Sequence, residues 1–214
     1  MPHDIDKREP QPDSGDSVRA ALIRYAHGWF PYVGGPAESE PSIHWRRPDK
    51  TRTVILNEKM NIPKNVRRLL NNPGFEFTRD EAFDAVVRAC AERRDAELWR
   101  PWITPAIQDL YRQLHSAGYA TSFEVWTSGQ LVSGVFGVRV GDAFFAESMF
   151  HKLSGSGNMA FAHLLKSVFS EGCTFCDLQI WWDYAAKYGA EELPISKFIE
   201  LLKRATLPFL KENQ

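Results

Sequence analysis

A chain of 214 residues with 43% hydrophobic content is long enough to bury one sizeable core. A formal charge of -1 excludes a uniformly basic or acidic protein. No apolar run approaches the roughly 20 residues of a membrane span, and the N-terminus lacks the basic, apolar, small-residue succession of a secretory signal. A cytoplasmic monomer is expected.

Charge is unevenly spread. Asp4, Asp6, Glu9, Asp13 and Asp16 crowd the first 16 residues, which leaves the rest mildly basic. Three cysteines, an odd count, make no disulfide framework. Cys173 and Cys176 form one C-x-x-C without a second pair or nearby histidines, so buried thiols are expected and no metal site.

Residues 1–15 are polar, acidic and proline-bearing, and read as a disordered leader. Ser17 is placed to cap a helix with Val18, Ala21, Leu22, Tyr25 and Ala26 at helical spacing, ending near Gly28. The aromatics Trp29, Phe30 and Tyr32 follow, beside Gly34, Gly35 and Pro36; they line a pocket or plug one end of the core. Ile43, His44, Trp45, Arg46 and Arg47 lead to a strand from Thr53, and Pro63 opens a short helix carrying Lys64, Arg67 and Arg68. With Lys50 and Arg52 these cations form a solvated face or, if the two segments lie together, a track for a nucleic-acid backbone.

Pro73 and Gly74 mark the expected boundary between a small N-terminal α/β lobe, 16–73, and a larger domain, 74–214. Thr78 and Glu81 spell a capping box for a helix with Phe83, Val86, Val87 and Cys90 inward. Thr104, Pro105 and Gly118 bracket the next helix, with Ile107, Leu110, Tyr111 and Leu114 on one side. From Ala120 the period changes to two: three antiparallel strands turn at Ser128 and Gly129 and at Gly141 and Asp142, the third carrying Glu147. A helix from about Asn158 to Phe169 then crosses to a strand carrying Asp177 and Gln179, parallel to the Glu147 strand. Alternation puts Glu147 with Phe145 and Met149, and Asp177 with Gln179. Ser196 is read as the cap of a last helix.

Acids among apolar neighbours are costly without a partner or a task, which makes Glu147 and Asp177 the candidate site. The meander, glycine turn and crossover follow the layout of the GNAT acyltransferases, an α+β fold with a mixed, mainly antiparallel sheet and flanking helices. Lys152, Gly155 and Gly157 fit the loop with which such enzymes hold coenzyme A. A coenzyme A-dependent N-acyltransferase is therefore one reading.

A second resemblance is more specific. HGWFPY at 27–32, FEFTRDEAFDAVVRAC at 75–90, WIT at 102–104, YRQLHSAG at 111–118, SFEVW at 122–126, LVSGVFG at 131–137, FAESMF at 145–150 and DLQ at 177–179 resemble, in order, the bacterial leucyl/phenylalanyl-tRNA-protein transferases. The resemblance implies an aminoacyltransferase that moves Leu or Phe from aminoacyl-tRNA, its co-substrate with no other cofactor, to a protein beginning with Arg or Lys. It implies that Gln179, held by Asp177, faces the attacking amine and that Glu147 fixes the aminoacyl end; because a neutral amide is a poor base, Gln179 is expected to orient while Asp177 or the leaving ribose hydroxyl takes the proton. Met149, Trp102, Phe161, Phe169 and Ile180 are the expected aminoacyl pocket; Glu124, Glu147 and Asp177 the acids that recognise the acceptor; Trp45, Arg46, Arg47, Arg52, Lys64, Arg67, Arg68 and Lys152 the tRNA contacts. The family pattern has Asn and His where Trp182 and Tyr184 stand, a second Trp at Arg46 and a Lys at Asn158. These differences leave open another aminoacyl-tRNA or another amine.

Overall fold

A computed structural model of the protein describes residues 17–32, 43–92 and 102–212. The expected leader, 1–15, lies outside them. In chain order the elements are α1 (Ser17–Ala26), β1 (Phe30–Tyr32), β2 (His44–Arg46), β3 (Thr51–Leu56), α2 (Lys64–Leu70), β4 (Glu76–Arg79), α3 (Phe83–Glu92), α4 (Pro105–Ser116), β5 (Ala120–Thr127), β6 (Gln130–Val140), β7 (Ala143–His151), α5 (Ser156–Ser170), β8 (Phe175–Gln179), β9 (Ala190–Pro194) and α6 (Ile195–Glu212).

The period-two segments become the meander β5, β6, β7, and the apolar helix α5 carries the chain over to β8, parallel to β7. Seven strands run in the order β4-β5-β6-β7-β8-β3-β9, and every neighbour pair except β7 with β8 is antiparallel. This is the GNAT-like α+β sheet that the layout predicts. One face packs on α1, α3, α4 and α6 through residues such as Tyr25, Val86, Tyr111, Phe145 and Phe198. The other packs on α2 and α5 through Val66, Met159, Phe161 and Leu165.

Several boundaries differ from the sequence reading. β3, assigned to the small lobe, is inserted between β8 and β9, so no sheet boundary falls near Pro73. Its buried run Arg52, Thr53, Val54, Ile55 is that of an interior strand. Thr78 caps no helix: it lies in β4, where its hydroxyl donates to Glu124 Oε2 (2.6 Å) and accepts from Trp126 Nε1 (2.8 Å), and α3 begins at Phe83. Thr104 does cap α4, accepting from the Ile107 N–H at 3.4 Å. Ser196 lies inside α6, whose first residue is Ile195. β9 was not expected, since Glu191, Glu192 and Pro194 are poor strand residues; it survives as an edge strand, where Pro is tolerated.

Candidate active site

β7 and β8 pair from Ala143↔Phe175 to Phe145↔Asp177 and then separate, and two irregularities at that point aim side chains into the opening. On β7, Phe136↔Ser148 and Gly137↔Ala146 leave Glu147 as an extra residue, a β-bulge. Gly137 allows it: a Cβ there would lie 2.2 Å from the Phe145 carbonyl oxygen. The bulge keeps Glu147 on the α1/α4 side with Phe145 and sends Met149 to the α5 side, so those residues do not all share a face as simple alternation predicts.

On β8, Gln179 has φ 64, and the Ile180 N–H donates to the Leu178 carbonyl at 2.7 Å, a tight γ-turn. β3 registers the same pinch, pairing Val54 with Asp177 and Thr53 with Gln179 and passing over Leu178. A non-glycine residue held at positive φ is strained, and such strain gathers at functional sites. Asp177 stabilises it by accepting the Gln179 N–H at 2.8 Å.

The side chains then close into one network. Gln179 Nε2 donates to Glu147 Oε2 at 3.1 Å, and the Tyr111 hydroxyl donates to the same oxygen at 2.8 Å. The Tyr25 hydroxyl, fully buried, is within reach of Glu147 and Tyr111 but aligned with neither, and Glu147 Oε1 is shut from solvent without a partner. Burial raises the Glu147 carboxyl from 4.5 to about 7. The Tyr111 and Gln179 hydrogen bonds, with the Tyr25 hydroxyl close by, pull it back down, and the Asp177 charge adds to the rise. Burial and the nearby Glu147 keep both phenols protonated.

A family model described as "Leucyl/phenylalanyl-tRNA protein transferase" matches residues 54–203. The chain belongs to that family. A relative of that name from Saccharophagus degradans is 36% identical over 192 residues, 89% of this chain and 76% of that protein. The Methylococcus capsulatus relative is 35% identical over 94% of this chain and 88% of its own. Among solved structures, L-PGS from Bacillus licheniformis superposes with TM-score 0.50 at 10% identity, covering 73% of this chain and 65% of that one, which shows the fold alone. The protein is thus an aminoacyltransferase that acts with aminoacyl-tRNA and a protein substrate.

Within this transferase the expected site residues fall into two groups. Glu147, Asp177 and Gln179 form the single network just described. Arg52 does not face a nucleic acid: it is 0% exposed and donates from Nε to both Asp177 oxygens (2.8 and 3.0 Å) and from Nη2 to Oδ2 (2.8 Å). Glu124 is equally buried and accepts from Thr78 and Ser122, so it is spent inside the protein and unavailable to an acceptor. Both were misread because a charge in a sequence is presumed exposed unless its partner is seen.

The proposed pocket also divides. Met149 touches the start of α5, where a Cβ on Gly157 would meet its sulfur at 3.4 Å, and Phe161 follows one turn later against Trp182 (centroids 5.5 Å) and Tyr188 (4.9 Å). Phe169 lies about 12 Å further along that helix, where its carbonyl faces Asn57 near the beginning of β8, and does not reach Gln179. Ile180 is 59% exposed, and Trp102 packs on the opposite face of the sheet from Met149 and Phe161.

The cations form two groups rather than one track. Arg46 is exposed on β2, while Arg47 lies over the Trp29 ring (5.1 Å) and donates to the His27 carbonyl, and Trp45 meets Tyr25 edge-on at 5.6 Å. Lys64, Arg67 and Arg68 are exposed on α2, whose Leu69 touches the Gly155 turn near exposed Lys152. α2 and β2 pack on opposite faces of the sheet. All three cysteines are free and buried, and burial raises the Cys173 thiol to about 11. Among the described residues no group of three or more His, Cys, Asp or Glu is arranged to hold a metal ion. Tyr25 and Tyr111, read from the sequence as core helix residues, are the site members it did not disclose; two phenols at inward helical positions carry no distinguishing signal.

Proposed function

We propose that this transferase moves a leucyl or phenylalanyl group from the 3′ end of aminoacyl-tRNA to the α-amine of a protein whose first residue is Arg or Lys, acting as a cytoplasmic monomer without a further cofactor. The observation that carries the reading is the Gln179 to Glu147 hydrogen bond across the opening between β7 and β8, where a carboxyl raised to about 7 keeps one oxygen unpartnered. Aminolysis of an ester needs an unprotonated amine and an acceptor for its proton, and a group near the working pH serves best. The amine nitrogen bonds to the ester carbonyl carbon and its proton passes to the Glu147 carboxylate. The bond to the ribose oxygen then breaks, and that oxygen takes the proton back. Gln179, a poor base, orients. Asp177, saturated by Arg52 and the Gln179 N–H, is not the proton acceptor.

Met149 and Phe161, packed on the α5 side of the sheet with Trp182 and Tyr188, are the residues proposed to supply apolar surface for the donor side chain. Filling such a pocket with Leu or Phe contributes roughly 1.5–3 kcal/mol, so discrimination among large apolar donors is loose. The test is incubation with Leu-tRNA or Phe-tRNA and an Arg-initiated peptide, read by mass. One added leucyl or phenylalanyl residue is expected, with an Ala-initiated peptide unchanged. Acetylation from acetyl-CoA in place of aminoacyl transfer overturns the proposal.

A further inference from the structure

We infer that Arg52 is a positioning residue for aminoacyl transfer: its guanidinium clamps Asp177, and Asp177 in turn fixes the strained turn that presents the Gln179 amide to Glu147. The inference rests on the proposed transfer reaction. Arg52 reaches Asp177 from a strand 125 residues upstream, through three hydrogen bonds, with both side chains 0% exposed. Its guanidinium carbon lies 4.7 Å from the Phe30 ring centroid and 5.1 Å from that of Phe198, so the fork's plane is set by aromatic packing as well as by the carboxylate. Asp177 has one role left, and that is the Gln179 N–H at 2.8 Å. A left-handed φ at a glutamine is not kept by its own preference, and among the described residues the side-chain acceptor for that N–H is the carboxylate Arg52 orients. The chain of dependence is therefore Arg52, Asp177, the Gln179 backbone, the Gln179 amide, Glu147.

A lysine at this position keeps the charge but not the two-nitrogen fork, so it neutralises Asp177 without setting its plane. In Arg52→Lys the maximal rate of transfer from Phe-tRNA to an Arg-initiated peptide is expected to fall at least tenfold, while KM for Phe-tRNA changes less than twofold. In a Gln179→Ala background the same change is expected to cost less than a further twofold, because Arg52 acts through Gln179. A raised KM with unchanged kcat, an unchanged rate, or a full additional loss in the Gln179→Ala background overturns the assignment. The wild-type protein gives a second readout if the variant does not fold. The Gln179 amide hydrogen is expected to exchange as slowly as that of Cys176, which is paired on both sides earlier in the same strand, and exchange at the rate of an exposed loop overturns the clamp. Absence of any transfer by the wild-type enzyme would instead defeat the proposed function and leave the exchange result standing.

Discussion

Glu147 shows how one carboxyl acquires a task from its surroundings. Its folded pKa, about 7, lies above its ordinary 4.5, so the native protein retains a proton that the unfolded chain releases across that interval. Stability therefore falls as pH rises from about 4.5 to about 7, and Glu147→Gln is expected to flatten that fall in thermal unfolding measured across the window. The same substitution is expected to lower kcat by roughly 10²–10⁴-fold. It should also remove the acidic limb near pH 7 from the rate profile, leaving the limb set by the acceptor's α-amine at about 7.7–8.0. At this scale the sequence disclosed the acids and the amide, because charged residues among apolar ones stand out. It disclosed neither Tyr25 nor Tyr111 nor the true place of Arg52, since pairing across 125 residues leaves no local mark.

At the scale of elements, the meander, the crossover and the parallel partnership of β7 with β8 were legible because period two and period 3.6 alternate cleanly after Ala120. The bulge at Glu147 and the γ-turn at Gln179 were not, since each is one residue of departure from a regular ladder and is fixed by tertiary partners. Gly137 is the one glycine whose position marks the bulge. Gly137→Ala sets a methyl against the Phe145 carbonyl at 2.2 Å and against the Phe144 ring at 2.5 Å, and neither neighbour is a free chain end. A loss of about 3 kcal/mol in denaturant unfolding is expected. In the fraction that stays folded, transfer should drop with it as β7 is pushed out of register with Glu147.

For the whole molecule, the central sheet separates the two groups of cations, and this changes what mutagenesis should show. If both groups meet tRNA as proposed, charge reversal at Arg46 and charge reversal of Lys64, Arg67 and Arg68 together are expected to act on its affinity from opposite faces. Their effects on KM for Phe-tRNA are expected to add in logarithm, each shrinking as salt rises; a single variant that removes all salt dependence would contradict this. The place of β3 in the central sheet was not legible because β3 is short and follows an irregular stretch, so nothing in its own residues says which distant strands it joins. Its insertion between β8 and β9 has a consequence for synthesis. At about 5–20 residues per second, the ribosome needs roughly 6–25 seconds after making Arg52 to deliver Asp177, 125 residues later. Through that interval the nascent chain carries an unpaired strand and no assembled Arg52–Asp177 pair, so the centre that this pair holds together forms only once most of the chain has been made.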